Sequence, residues 1–275
     1  MTGSPFSDLD RPPLREGALN RALVRTGGPW RRIEVVERTG STNADVLARA
    51  EHGEREGLVL VAEAQDAARG RLARSWSSPV RAGLLFSVLL RPDVPDSRLS
   101  WLSLLAGVAA VRAVRRHTGV EARVKWPNDV VVDDRKLAGI LSERGGGAVV
   151  LGIGMNVSTR PDELPVPAAT SLVIEGAANT DRDPLLRALL RELATWYARW
   201  TEAGGDPGAC ALRDAYRDVS ATIGREVRAE LPGGRTLTGL ATDVDELGRV
   251  IVGGEPVGAG DVVHLRPAGD APPGR

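Results

Sequence analysis

The chain has 275 residues with 36 basic and 36 acidic side chains, so its formal net charge is zero and no global field draws it onto nucleic acid. A single cysteine, Cys210, excludes an internal disulfide, and His52, His117 and His264 are too scattered for metal-ligand spacing. Hydrophobic and charged contents of 42% and 26% are those of a soluble globular protein, and the N-terminus lacks an apolar signal core, so a cytoplasmic chain without a membrane partner is expected.

Residues 1–30 read as a loose, proline-containing leader with one short helix at 14–24. Ile33-Glu34-Val35-Val36 predicts a strand. Ser41-Thr42-Asn43 offers an N-cap to an amphipathic run carrying Val46, Leu47 and Ala50, with Gly53 as the stop. Apolar runs at 58–62 and 83–90 predict buried strands, with a basic, irregular loop between them. From 97 to 117 the spacing is helical, with Leu102, Leu105, Ala106 and Ala109 in its core stripe and Gly119 at its end. Strands are expected at 121–125, 130–133, 136–143 and 148–155, with a turn at Asp133-Asp134-Arg135. A second long helix at 184–201 has Pro184 in its first turn. After Gly224 short alternating strands at 226–231, 236–242, 249–252 and 261–265 are separated by glycine-containing turns, the pattern of a small β-barrel. The expected organisation is a leader at 1–30, a main domain at 31–222, a β module at 223–267 and a Pro/Gly tail at 268–275.

Of the 36 basic residues, 34 are arginine and only Lys125 and Lys136 are lysine. Where arginine is the default cation, a retained lysine marks a position that wants a compact ammonium rather than a planar fork. The plainer alternative is that both are ordinary surface charges. They lie in Lys125-Trp126-Pro127-Asn128-Asp129 and Arg135-Lys136-Leu137-Ala138-Gly139-Ile140-Leu141. Pro127 restricts Trp126 to extended backbone, and Asn128-Asp129 suits a turn. A period-two strand from Lys136 puts Lys136, Ala138 and Ile140 on one face, with room for a ligand beside the lysine; a hairpin with a polar tip is the alternative.

Between Gln65 and Trp76, Arg69, Arg71 and Arg74 alternate with small residues. Arginine forks match phosphate oxygens, and small residues let backbone N–H groups approach an anion. A solvated basic loop, or an RNA contact with Trp76 as a stacking platform, fits the same composition. Gly152-Ile153-Gly154-Met155-Asn156-Val157 ends a strand in glycines and an amide. It is not a dinucleotide fingerprint, because no third glycine opens a helix, and the chain has no Walker A sequence. No Ser-His-Asp or Cys-His pairing stands out, so an acyl transfer here would run through an adenylate rather than an enzyme-bound ester.

Together with Gly40-Ser41-Thr42-Asn43, these segments resemble the biotin protein ligase family in order and spacing over about residues 30–175, and the β module resembles that family's C-terminal domain. The resemblance implies an α+β fold, with a mixed central sheet and helices of the class II synthetase-like biotin/lipoate ligase type, plus an SH3-like barrel. It implies an enzyme that activates biotin with Mg-ATP as biotinyl-5′-adenylate and transfers it to a lysine of a biotin carboxyl carrier protein. Ser41, Thr42, Asn43, Gln65 and Gly139 fall at biotin-binding positions. Arg69 and Arg71 would meet biotin's carboxylate and the nucleotide phosphate, and Lys136 would hold carboxylate and α-phosphate together, so these three form the implied catalytic set. Arg74, Trp76, Lys125, Asn128 and Asn156 fall at ATP-binding positions, and Asp129 at a position for the Mg2+ that accompanies ATP. The chain departs from the family's loop at Ala68 and Ala73, where glycine is common; a positive φ there would cost alanine about 1 kcal/mol.

About 30 residues precede the catalytic region, too few for a helix-turn-helix domain, so no specific DNA binding is expected. A lipoate–protein ligase is the nearest enzymatic alternative, and a non-catalytic biotin-binding protein the alternative of another class. The expected state is a monomer or weak homodimer.

Overall fold

The computed structural model describes residues 11–71, 75–258 and 261–264, so Ala73, Arg74 and the tail expected at 268–275 lie outside the described residues. In chain order the main domain contains α1 (Glu16–Leu23), β1 (Arg32–Val36), α2 (Thr42–Glu51), β2 (Leu58–Ala62), β3 (Gly83–Leu90) and α3 (Trp101–Thr118). It continues with β4 (Arg123–Lys125), β5 (Asp129–Val132), β6 (Arg135–Gly145), β7 (Ala148–Asn156), α4 (Arg182–Glu202) and α5 (Leu212–Val219). The strands form one seven-stranded sheet in the order β1-β2-β3-β7-β6-β5-β4. β1 and β2 run parallel and the other neighbours antiparallel. This is the expected mixed sheet of an α+β domain.

Both faces of the central strands are covered, which is why β2 and β3 read as unbroken apolar runs. Val59 and Val61 of β2 join Leu84, Phe86 and Val88 of β3 in the large core beneath α3 and α4. Leu58, Leu60 and Leu89 point the other way and pack with Val46 and Ala50 of α2. The stretch Asp96–Thr118 is apolar and long enough by composition to cross a bilayer, but 67% of its most apolar window is buried as the core helix of this domain. Gly119 ends α3 at φ 74°, a left-handed cap that glycine adopts without strain.

Residues 11–30, expected as a loose leader, are folded onto the domain. Leu14, Leu19, Leu23 and Trp30 are buried, and Trp30 Nε1 donates to the Leu190 carbonyl at 3.1 Å. Helix α1 also covers the edge of β1: the Asn20 amide bonds both the N–H and the C=O of Ile33, at 3.0 and 2.7 Å, and the Glu16 carboxylate accepts from Val35 N. These side chains satisfy backbone groups that an open sheet edge would leave unpaired. The proline-rich composition hid four apolar anchors in a short stretch.

β8 (Glu226–Glu230), β9 (Thr236–Val244), β10 (Val250–Val252), β11 (Glu255–Val257) and β12 (Asp261–His264) build a second sheet in the order β11-β10-β9-β8-β12. Its buried valines, Val227, Val244, Val250 and Val252, belong to the same continuous core as α3 and α5. Trp101 Nε1 donates to the Glu246 carbonyl at 2.9 Å and Trp126 Nε1 to the Gly248 carbonyl at 3.0 Å. The sequence reading missed α5 and β11, elements of eight and three residues.

Candidate functional site

Helix α2 covers only part of its face of the sheet. Beyond its N-terminus β3, β7 and β6 present Ser87, Gly152, Gly154 and Gly139, where side chains would otherwise fill the space. Gly139 pairs with Gly154, and Leu141 with Gly152, so the missing side chains lie side by side as a trench. A cavity of about 540 Å³ opens there, within the range of small-molecule sites.

The trench walls are built by local chemistry. Ser41 caps α2, its hydroxyl accepting from Ala44 N at 3.5 Å. Thr42 donates from N and Oγ1 to Gln65 Oε1, at 2.7 and 3.1 Å. Gln65 reaches that point because the parallel pairing of β1 and β2 continues past the strand ends as a Thr39–Gln65 bridge. Ser87 Oγ lies 2.5 Å from Asn43 Oδ1 and 2.7 Å from Thr42 Oγ1. Asn43 Nδ2 donates to Glu143 Oε2 at 2.8 Å and to the Leu141 carbonyl at 3.3 Å. A Cβ at Gly152 would stand 2.1 Å from Asn43 Oδ1. Asn43 therefore braces the trench, with its amide already engaged.

The basic loop folds back across the opening. Trp76 N donates to the Ala68 carbonyl at 3.0 Å, and Arg69 bridges Ser75. Trp76 lies over the glycines: a Cβ at Gly154 would come within 2.8 Å of its ring, and one at Gly139 within 3.4 Å. The Trp76 Nε1–H is buried and has no partner among the described residues, an uncommon condition for a buried donor. Arg69 is exposed at the mouth, and Arg71 lines the same cavity. Ala68 is buried and avoids the left-handed region, so the penalty foreseen for alanine does not arise there.

Lys136 rises from β6 with its Nζ 2.7 Å from Asp129 Oδ1 and 5.7 Å from the centre of the Trp76 ring. The expectation that Lys136 shares a face with Ala138 and Ile140 is corrected by the register. Val130 pairs with Ala138 but Val131 pairs with Lys136, so Leu137 is an extra residue and β6 bulges. The bulge turns Ala138 and Ile140 into the core and places Lys136 beside Gly139, whose Cβ would lie 3.3 Å from Nζ. Lys125, at the end of β4, pairs with Asp129 of β5. Asn128 also lines the cavity, but its Nδ2 donates to the Ile140 carbonyl at 2.8 Å and thereby holds β6. Asn156 is buried, and its Nδ2 donates to the Thr170 carbonyl at 2.9 Å.

Every site residue predicted from the sequence that lies within the described residues lines this one cavity. The reading missed Val166 and Ala169, from a loop stitched to Lys136 by Lys136 N to Ala168 O at 2.7 Å and Thr170 N to Lys136 O at 2.9 Å. It also missed Glu230, from the C-terminal module. Neither has a local sequence signal; both arrive by tertiary packing. Among the described residues no three His, Cys, Asp or Glu side chains cluster to hold a metal. Asp129, the carboxylate expected to meet Mg2+, is paired with Lys136. Among the described residues this donor set does not fit a resident metal.

The Biotin/lipoate A/B protein ligase family matches residues 35–159, and the Biotin protein ligase C terminal domain matches residues 222–265. The chain is 47% identical to the biotin--[acetyl-CoA-carboxylase] ligase of Mycobacterium tuberculosis over 268 residues, 94% of this chain and 98% of the relative. It is 31% identical to the bifunctional ligase/repressor BirA of Escherichia coli over 80% of this chain and 68% of that protein. The structure of the Aquifex aeolicus biotin protein ligase in complex with biotin and ATP superposes with a TM-score of 0.73 at 27% identity, covering 86% of this chain and all of that one. With near-complete coverage of a ligase at this identity, and with the lysine pair, the basic loop and the glycine trench meeting in one cavity, the chain belongs to the biotin protein ligase family.

Proposed function

We propose that this chain activates biotin with Mg-ATP and transfers it to a lysine of a biotin carboxyl carrier protein. The observation that carries the reading is the seat of Lys136: a compact ammonium beside Gly139, under Trp76, where the glycine trench meets the basic loop. The trench takes the biotin ring system against Ser41, Thr42, Gln65 and Gly139, with Asn43 bracing Ser87 and the Leu141 carbonyl. Trp76 covers it, and its Nε1–H, without a partner among the described residues, faces a ligand acceptor.

In the first step a biotin carboxylate oxygen attacks the α-phosphorus of ATP, the bond to the β-phosphate oxygen breaks, and pyrophosphate leaves. Two anions must approach and charge grows on the phosphoryl oxygens, so fixed cations are what the step needs. Lys136 meets both groups at their junction, Arg69 and Arg71 reach in from the loop, and Lys125 lies toward the departing pyrophosphate. Binding of ATP draws Lys136 from Asp129 and leaves that carboxylate facing the magnesium of the substrate. In the second step the carrier's lysine attacks the mixed anhydride and AMP leaves. Ala68, Arg69, Gly70 and Trp76, which line the cavity, shield the adenylate from water. ATP dependence and the lone Cys210 fit a cytoplasmic enzyme, and the covering of the β1 edge by α1 fits a monomer or weak dimer.

The test is the mass of a biotin carboxyl carrier domain incubated with the protein, biotin and Mg-ATP. The expected result is one added biotin, with rates at least about a hundredfold lower for Lys136→Ala and Arg69→Ala. Biotin binding by calorimetry without transfer would replace the ligase reading with that of a binding protein.

A further inference from the structure

The C-terminal module sends one side chain to the active-site cavity. Glu230 ends β8, in which Val227 and Ala229 are buried and Glu226, Arg228 and Glu230 are exposed. Its position is set by the same hairpin that carries the two lysines. Trp126 N donates to Thr222 Oγ1 at 3.0 Å, Trp126 Nε1 to Gly248 O at 3.0 Å, and Arg225 binds both oxygens of Asp134 at 2.8 and 2.9 Å. The other charged residues lining the cavity are Arg69, Arg71, Lys125, Lys136 and Asp129, the last two bound to each other at 2.7 Å. Among the described residues Glu230 is thus the cavity carboxylate that no cavity cation holds. Its ion pair is with Arg228 at 3.0 Å, and with side chains 47% and 53% exposed that pair is weakly held.

We propose that Glu230 receives the ammonium of the incoming acceptor lysine and positions it for the transfer step; the proposal rests on the ligase reading above. Biotin and nucleotide are both anions, so a carboxylate at the mouth attracts neither directly, and Asp129 is the carboxylate that lies beside Lys136 for the magnesium of the substrate. The second half-reaction differs. A lysine ordinarily titrates near about 10.4 and so arrives positively charged, at a mouth where Arg69, Arg71 and Lys125 repel it. A carboxylate on the rim offsets that repulsion and fixes the direction of approach. Glu230 leaves Arg228, pairs with the ammonium and brings it over the adenylate. The ammonium then gives its proton to solvent water. Its nitrogen bonds to the acyl carbon, the bond from that carbon to the phosphate oxygen breaks, AMP leaves with the electron pair, and the new amide nitrogen sheds its second proton to water.

The experiment separates the two half-reactions in the full chain. Biotin-dependent ATP–pyrophosphate exchange reads adenylation; transfer is read from preformed enzyme–adenylate mixed with a biotin carboxyl carrier domain. Glu230→Gln is expected to lower kcat/KM for the carrier about tenfold through KM, with exchange changed less than about threefold. Glu230→Asp recovers part of the loss. Arg228→Ala, which frees the carboxylate, raises kcat/KM for the carrier, a response that a merely structural Glu230 would not give. Unchanged transfer in Glu230→Gln, or an equal fall in exchange and transfer, overturns the proposal; the equal fall would place Glu230 with the nucleotide and its magnesium. Absence of exchange in the wild type overturns the ligase reading itself, and this proposal with it.

Discussion

At the scale of the residue, the site depends on what is small. Lys136 stands 3.3 Å from where a Gly139 Cβ would lie and 2.7 Å from Asp129, so the glycine leaves the ammonium its place at the trench. Lys136→Arg keeps the charge but brings a planar fork with a different reach. Exchange activity is therefore expected to fall at least about a hundredfold despite the conserved charge, as read by pyrophosphate exchange; near-normal activity would mean that charge alone suffices. Gly152 is a second such position, because any Cβ would collide with Asn43 Oδ1 at 2.1 Å and push it from Ser87 and Glu143. Gly152→Ala is expected to weaken biotin binding about tenfold or more in calorimetry, with a loss of stability of about 1–3 kcal/mol from overpacking.

At the scale of the element, the bulge in β6 decides which way the lysine faces. Leu137 takes the extra place, so alternation resumes with Ala138 and Ile140 in the core and Gly139 and Leu141 toward the trench. Asn128 pins the strand just past this irregularity: its side chain donates to Ile140 O at 2.8 Å, while Ile140 N donates to Asn128 O at 2.9 Å. Asn128→Ala removes one of these bonds and leaves a half-buried carbonyl short of a partner. The expected cost is about 1–2 kcal/mol in thermal or urea unfolding, together with a raised KM for ATP as Lys136 loses its seat. A stable variant with a raised KM would give Asn128 a direct nucleotide contact instead.

At the scale of the whole molecule, the C-terminal module is fastened to the main domain by charge as well as by core. Arg213 and Arg217 of α5 converge on Asp243 of β9, at 2.9 Å from Arg213 and at 2.9 and 2.6 Å from Arg217. The hydrogen-bonded Arg217 guanidinium, followed by the Val244 N–H and the charge of Arg213, holds the Asp243 carboxyl down to about 2 despite opposing desolvation. A carboxyl depressed in the folded state adds stability that is complete above its unfolded value, near about 3.9, and is lost as pH falls through about 2. Asp243→Asn removes that contribution. The melting temperature of the wild type is expected to exceed the variant's at neutral pH by the equivalent of about 1 kcal/mol, since the pair is partly exposed and screened. The gap should close between about pH 4 and pH 2; a gap constant down to pH 2 would assign it to packing.

The lysines in an arginine-rich chain, the cap at Ser41, the glycines of β7 and the short turn-separated strands after Gly224 were all legible in the sequence. Each is a local signal: a residue type that chemistry seldom substitutes, or a pattern repeated within a few positions. These were enough for the C-terminal β module and the segments that meet at the site, and the α+β class came with the family resemblance that those segments carry. What the tertiary structure alone decided has the opposite character. The apolar anchors of residues 11–30 are sparse in sequence but meet in one core. The bulge at Leu137 follows from the partner strand and reverses the face that simple alternation assigns to Ala138 and Ile140. The engagement of Asn43, Asn128 and Asn156 as braces depends on carbonyls up to 98 residues away. Glu230 reaches the cavity only because Trp126 and Asp134 hold the module against it. Sequence determines what each segment prefers by itself; register, docking and the spending of hydrogen bonds are decided between segments, by contacts that no local pattern encodes.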